Sequence, residues 1–198
     1  GLGVRPNDYA DEWGTIRIVK PPSTAATLNF VANAAQTARL WKDIDSTYAD
    51  KLLKQAKLSY EAAKANPELY APLDQAIGGG AYGDTNVKDD FYWAACELYA
   101  TTQDATYLTD MKGYADCFKV TNNLEGGENN GSFSSFNWGN TAGLGSLTMY
   151  LNRDILDAAD AKTLSDSIKK AADTYIAKEE EQGYGIPYQG ATFTDAIN

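Results

Sequence analysis

The sequence contains no histidine and only two cysteines in 198 residues. The absence of imidazole excludes Ser-His-Asp triads, histidine general bases and histidine metal ligands. No apolar run reaches the roughly 18 residues that a membrane-spanning helix needs, so no membrane partner is expected. Basic residues are also scarce, 17 against 27 acids, and the net charge of −10 disfavours binding to nucleic acid. Any chemistry must therefore use carboxylates, tyrosine, lysine or cysteine, and nothing indicates an organic cofactor.

The two cysteines, Cys96 and Cys117, have neither zinc-site spacing nor a Cys-x-x-Cys arrangement. Both fall in stretches that we interpret as consecutive helices, so a disulfide between them is geometrically conceivable. Cysteines on apolar helix faces usually behave as small buried hydrophobes. We therefore favour two free thiols over the disulfide.

The composition is that of an ordinary globular protein, with 43% apolar and 22% charged residues. A chain of this length can bury one sizeable core, so we predict a single domain over residues 1–198.

Apolar periodicity predicts six helices, in which nearly uncharged and amphipathic segments alternate. The predicted segments are 25–42, 47–65, 87–102, 105–120, 140–151 and 158–182. This alternation favours an all-α fold of helical hairpins, each with a buried inner helix and a half-exposed outer helix. Three hairpins complete only an arc, whose end helices would expose apolar flanks. We expect these flanks to be covered by the remaining half of a barrel or by another copy of the chain.

Four separated segments carry a family resemblance. They are residues 21–29 (PPSTAATLN), 78–84 (GGGAYGD), 89–99 (DDFYWAACELY), and 101–104 (TTQD) before Tyr107 and Leu108. In this order the sequence resembles glycoside hydrolase family 9, the cellulases with an (α/α)6 barrel. The resemblance covers nearly the whole chain and implies about half of such a barrel.

The resemblance implies hydrolysis of β-1,4-glucosidic bonds in cellulose or related β-glucans, and hence a secreted protein. Inverting enzymes use two carboxyl groups about 6.5–9.5 Å apart, one as the acid and one as the base. In this family the base lies in an Asp-Ala-Gly-Asp motif near the start of the catalytic domain, and the acid is a Glu near its end. Neither motif occurs here, and Asp8, Asp11 and Glu12 lack that context. We assign no catalytic residue and predict that this central portion is inactive alone.

A polar cluster precedes the third predicted helix. Its members are Asp84, Thr85, Asn86, Asp89 and Asp90. One interpretation is helix capping, with one of the first three residues as N-cap and the two following aspartates favourable against the helix dipole. The other is a structural calcium site, because Ca²⁺ takes six to eight oxygen ligands. The resemblance implies calcium ligands at Thr85, Asn86, Asp89 and Asp90, although a further family aspartate corresponds to Gly139 here.

Three aromatic residues, Tyr82, Phe136 and Trp138, lie in loops that enter the inner helices. The cleft of the implied barrel opens at these loops, so we predict that the three rings bind cellulose or a β-glucan oligosaccharide. The aromatics spaced along the helices, such as Tyr92 and Trp93, are instead typical of a core.

Two other functions fit parts of the pattern. A noncatalytic helical scaffold would bind protein on its concave face, but the inner helices begin near residues 24, 87 and 140, which is not a regular repeat. A carbohydrate-binding remnant without catalysis would show affinity for cello-oligosaccharides and no turnover.

Overall fold

The computed structural model describes residues 21–72, 85–121, 139–181 and 183–185, which are helical and contain no strand. The six helices are α1 (Thr24–Trp41), α2 (Ser46–Ala65), α3 (Lys88–Thr102), α4 (Ala105–Lys112), α5 (Ala142–Leu151) and α6 (Ala158–Glu181). A single 3₁₀ turn, Arg153–Ile155, joins the last two. The predicted all-α fold is confirmed, and five of the six helices start and end within two residues of the predicted bounds.

Four helices begin at a side-chain cap that the sequence supplies. The Ser23 hydroxyl accepts a hydrogen bond from the amide of Ala26 at 3.4 Å at the start of α1. Asp45, Asp104 and Asp157 accept equivalent bonds at α2, α4 and α6, each at 2.9 Å. Such caps satisfy amides that have no partner within the helix.

The helices form an arc of two layers. The inner helices α1, α3 and α5 lie side by side, with α3 in the middle, and each packs against the outer helix that follows it in the chain. In α3 every residue from 92 to 100 is buried, whereas in outer α6 only Leu164 and Ala171 are. The predicted alternation of buried and half-exposed helices is confirmed.

Helices α3 and α5 approach each other closely because Gly145 has no side chain. A Cβ placed on Gly145 would lie 3.1 Å from Cys96 Sγ, from Trp93 Cα and from Tyr92 Cε1. The contact puts backbone against backbone, so only glycine fits there without displacing the neighbours.

A polar network crosslinks the three inner helices through Glu97, whose side chain is fully buried. Arg39 Nη2 of α1 donates to Glu97 Oε2 at 2.8 Å, and Thr148 Oγ1 of α5 donates to Oε1 at 2.6 Å. Gln36 Nε2 donates to the same Oε1 at 3.0 Å.

Asp89 and Thr141 are also in contact, at the starts of α3 and α5, so these two helices run parallel. Tyr60, near the end of α2 and hence beside the start of α1, packs against Phe91 in the first turn of α3, so α1 runs in the same direction.

The two helices at the edges of the arc, α1 and α5, expose apolar residues, as the sequence predicted. On α1 the side chains of Phe30 and Leu40 are 43% and 65% exposed, and on α5 Leu151 is 78% exposed. Among the described residues no helix combines the length and apolarity needed to cross a membrane.

The prediction of a helix over residues 105–120 is wrong in its second half. Helix α4 ends at Lys112, and Gly113 begins a series of turns. Phe118 has a left-handed backbone (φ 60°), and its amide donates to the Tyr92 hydroxyl at 2.9 Å. This tertiary bond and the glycine override the apolar periodicity. Cys117 therefore lies in a turn, and both cysteines are free thiols as predicted.

Candidate functional site

The N-terminal ends of α3 and α5 are joined by a buried hydrogen-bond cluster. Asp89 Oδ2 accepts a bond from the amide of Thr141 at 2.7 Å and from its hydroxyl at 3.3 Å. The same hydroxyl lies 3.5 Å from Asp90 Oδ1. Both carboxylates are buried, with 1% and 5% exposure. Because the inner helices are parallel, the start of α1 lies at this same end of the arc.

The capping interpretation of the polar cluster is partly wrong. The N-cap of α3 is Val87, which makes no side-chain capping bond, so neither Thr85 nor Asn86 is the N-cap. Asp89 and Asp90 do lie in the first turn, as predicted, where the positive end of the helix dipole favours carboxylates.

The residues predicted to bind calcium fit a cation in part. Asp89 and Asp90 supply adjacent carboxylates, while Thr85 and Asn86 are exposed and precede them by about one turn. Within the described ranges no group of three or more His, Cys, Asp and Glu side chains gathers around one point. A cation would thus need side-chain oxygens of Thr85 and Asn86, main-chain carbonyls or water beside the two carboxylates.

The chain after α2 folds back onto the first residue of α1. The amide of Thr24 donates to the carbonyl of Leu69 at 2.8 Å, and its hydroxyl accepts from the Leu69 amide at 2.9 Å. That hydroxyl also donates to the carbonyl of Asn66 at 2.6 Å. Residues 66–70 are therefore fixed at the N-terminal end of the arc, and sequence analysis did not predict this.

The predicted sugar-binding residues Tyr82, Phe136 and Trp138 lie outside the described residues, as do Asp84, Asp8, Asp11 and Glu12. Their predicted roles stay predictions.

One turn into α3 and α5, the hydroxyl groups of Tyr92 and Ser146 form a buried hydrogen-bond chain. Ser146 Oγ donates to the carbonyl of Lys119 at 2.7 Å, so the Tyr92 hydroxyl donates to Ser146 at 3.0 Å. The Tyr92 hydroxyl also accepts a hydrogen bond from the amide of Phe118. Burial raises the pKa of Tyr92 well above its usual value, so the phenol stays protonated. We assign it a role in fixing residues 118–119 rather than in proton transfer.

A surface hollow lies at the opposite end of the arc. It has a volume of about 620 Å³ and is lined by Leu151, Arg153, Asp154, Ala161, Lys162 and Ser165. Because it lies beyond the C-terminal end of α5, it is separate from the helix ends that precede the predicted sugar-binding loops.

Comparisons with known proteins agree with this architecture. Residues 5–195 match the family model described as Glycosyl hydrolase family 9. The chain is 44% identical over 198 residues to a cellulose 1,4-beta-cellobiosidase of Acetivibrio thermocellus, covering 96% of this chain and 22% of the relative. It is 39% identical over 193 residues to endoglucanase C of Cellulomonas fimi, covering 95% of this chain and 16% of the relative. The chain thus spans less than a quarter of either protein.

Solved structures give the same result. A structure described as Bacteroides ovatus GH9 superposes with a TM-score of 0.72 at 29% identity, over 96% of this chain and 34% of that chain. The structure of AaCel9A in complex with cellobiose-like isofagomine superposes with the same TM-score at 22% identity, over 96% of this chain and 33% of that one. The latter match shows the fold alone. The arc of three hairpins is part of an (α/α)6 barrel, and the chain belongs to glycosyl hydrolase family 9.

Proposed function

We propose that this chain forms one side of the substrate cleft of a cellulase, which hydrolyses β-1,4-glucosidic bonds in cellulose or a related β-glucan with inversion. Membership of family 9 and the cellulose-degrading relatives support the substrate class. The observation that carries the proposal is the bond between Thr141 and Asp89. This bond joins the starts of α3 and α5. Each of these helices follows a loop that is predicted to bind sugar, so aromatic rings from both loops can bind one glucan chain.

We further propose that the chain does not hydrolyse glucan by itself. Among the buried acids that the structure describes, Glu97 is enclosed by Arg39 and Thr148 and is not accessible to a substrate. Asp89 and Asp90 lie side by side in one helical turn, whereas inverting catalysis needs carboxyl groups on opposite faces of the sugar. The test is release of reducing sugar from soluble cellulose by this chain alone. Turnover above that of a heat-denatured sample would contradict the proposal.

The exposed flanks of α1 and α5 are proposed to bind the remaining helices of the barrel. The Bacteroides ovatus structure is about three times as long as the matched region, since the chain covers 34% of it. Flanking polypeptide of a family 9 domain, added in trans, is expected to lower the exposure of Phe30 and Leu151 and to restore hydrolysis. A second copy of this chain would cover the same residues without restoring it, and analytical ultracentrifugation of the chain alone tests for that dimer.

Calcium is proposed as a structural ligand at Thr85, Asn86, Asp89 and Asp90. The support is the pair of buried carboxylates at the end of α3, beside two exposed residues with side-chain oxygens. When bound, the cation would neutralise the carboxylates and tie the residues before α3 to the helix. The proposal fails if millimolar calcium leaves the melting temperature of the chain unchanged.

The protein is also proposed to act outside the cell, because cellulose is an insoluble polymer that cells meet externally. Detection of the protein in the culture medium of the source organism tests this, and its confinement to the cell lysate would contradict it.

A further inference from the structure

We propose that Tyr70 contacts a glucose unit in the cleft and that Thr24 is the residue that positions it. This inference rests on the proposed function, because it assumes that the ligand is a β-1,4-glucan. No motif of the sequence pointed to Tyr70, which lies early in the same α2–α3 connection that carries Tyr82.

The position of Tyr70 follows from the start of α1. Thr24 is 2% exposed, and its amide and hydroxyl together make three hydrogen bonds to Asn66 and Leu69. The hydroxyl acts as donor and acceptor at once, which an aliphatic side chain cannot do. The amide of Tyr70 donates to the carbonyl of Glu68 at 3.1 Å. The backbone that carries Tyr70 is therefore fixed directly to an inner helix.

That fixed backbone lies at the end of the arc where the cleft is proposed. The inner helices run parallel, because Asp89 contacts Thr141 at the starts of α3 and α5 and Phe91 contacts Tyr60 beside the start of α1. The start of α1 therefore lies at the same end as Asp89 and Thr141. A residue anchored to Thr24 is thus on the rim from which the predicted sugar-binding loops extend.

The side chain of Tyr70 suits a sugar chemically. Tyr70 is 38% exposed, beside Leu69 at 45%. Within the part of the chain that the structure describes, the Tyr70 hydroxyl makes no hydrogen bond. A pyranose presents an apolar face of C–H groups and a polar rim of hydroxyls, and a tyrosine offers a flat apolar ring with one polar tip. A ring held by a rigid backbone also loses little conformational entropy on binding.

The test is the affinity of the chain for cellohexaose, measured by titration calorimetry or NMR. We expect Tyr70→Ala to weaken binding by about fivefold to tenfold, the size of one aromatic stacking contact. Tyr70→Phe should stay within about twofold of the wild type, since it keeps the ring. The matched control is Tyr48→Ala, because Tyr48 is 42% exposed on the α1–α2 hairpin at the opposite end of the arc. It should not change the affinity.

The positioning role is tested separately with two variants of Thr24. Thr24→Val removes the hydroxyl at similar volume and should weaken binding about threefold, a fraction of the Tyr70→Ala effect. Thr24→Ser retains the hydroxyl and should bind like the wild type. Circular dichroism melting checks that both variants are folded. An equal loss of affinity in Thr24→Val and Thr24→Ser would overturn the positioning role.

The outcomes separate this inference from the proposed function. Wild-type affinity in Tyr70→Ala, with cellohexaose still bound, would overturn the role of Tyr70 and leave the cleft assignment standing. A wild-type chain that binds no cellohexaose at millimolar concentration would contradict the proposed function itself. Loss of affinity in Tyr70→Ala but not in Tyr48→Ala supports the inference.

Discussion

The middle and the N-terminal end of α3 hold buried carboxylates in contrasting surroundings. Glu97 is fully buried and receives the guanidinium of Arg39 together with the hydroxyl of Thr148. Asp89, two turns earlier, receives the neutral amide and hydroxyl of Thr141. The charge of Glu97 is thus matched by a cation of the chain itself. The comparison shows that Glu97 fixes the scaffold. Asp89 and Asp90 lie at the end of the helix, where a ligand can reach the exposed residues Thr85 and Asn86.

The largest expected effect comes from breaking the scaffold pair with Arg39→Ala. It leaves the buried charge of Glu97 without its cation, so we expect the free energy of unfolding to fall by about 3 kcal/mol. Urea unfolding measures this. Adding Glu97→Gln to Arg39→Ala should recover part of the loss, since the buried group becomes neutral. The control is Lys162→Ala, which breaks an exposed pair with Asp166 and should cost under about 0.5 kcal/mol. Equal effects of Arg39→Ala and Lys162→Ala would contradict this account of Glu97.

The next effect concerns the carboxylates at the helix end. Calcium at 100 times its dissociation constant should raise the free energy of unfolding by about 2.7 kcal/mol. Asp90→Asn should abolish this increment, because an amide oxygen replaces a charged ligand, while Glu180→Gln on exposed α6 should not. The measurement is chemical unfolding with calcium or with EDTA. An increment that survives in Asp90→Asn would place the cation elsewhere.

A moderate effect is expected at the contact between α3 and α5. Gly145→Ala puts a methyl group 3.1 Å from Cys96 Sγ and Trp93 Cα and should destabilise the fold by about 1–3 kcal/mol. Gly183→Ala is the control, since nothing lies within 4 Å of the added methyl. Thermal unfolding measures the stability of both variants. Equal melting temperatures for Gly145→Ala and Gly183→Ala would contradict the close approach of α3 and α5.

The smallest effect is a pH dependence. Burial raises the pKa of the Cys117 thiol from 9.0 to about 12, and that of Cys96 well above its usual value. The folded state then keeps these protons to a higher pH than the unfolded state. Their contribution to stability is complete below pH 9 and is lost as pH rises towards 12. Unfolding at pH 8, 9 and 10 should give a falling free energy, and Cys117→Ala should flatten that fall; a steeper fall in Cys117→Ala would contradict the burial of this thiol.

The sequence predicted the layers of this fold because charge and apolar spacing record which helix faces meet water. It failed where tertiary bonds decided the backbone. The turns after Lys112 depend on the bond between the Phe118 amide and Tyr92, and no local pattern encodes that partner. Gly113 within the apolar repeat was the one local sign that α4 would end early.

The candidate site was predictable only as separate motifs. The residue types of Asp89 and Asp90 suggested a site, but their bonds to Thr141 join residues 51 and 52 positions apart. The Thr24 contacts with residues 66–70 likewise span more than 40 positions. Such pairs depend on how helices align in three dimensions, which periodicity does not specify. Ser23 and Thr24 are both residue types that cap helices, yet only Ser23 caps α1, and the Thr24 hydroxyl bonds to Asn66 and Leu69 instead.

The central claim is that the N-terminal ends of the inner helices form the glucan-binding end of the arc. Amide chemical shifts of the labelled chain, titrated with cellohexaose, test it most directly. The account predicts that the shifts change around Thr24, Tyr70 and Thr141 and stay constant around Arg153 and Lys162. Changes concentrated at Arg153 and Lys162, or at no residue, would contradict it.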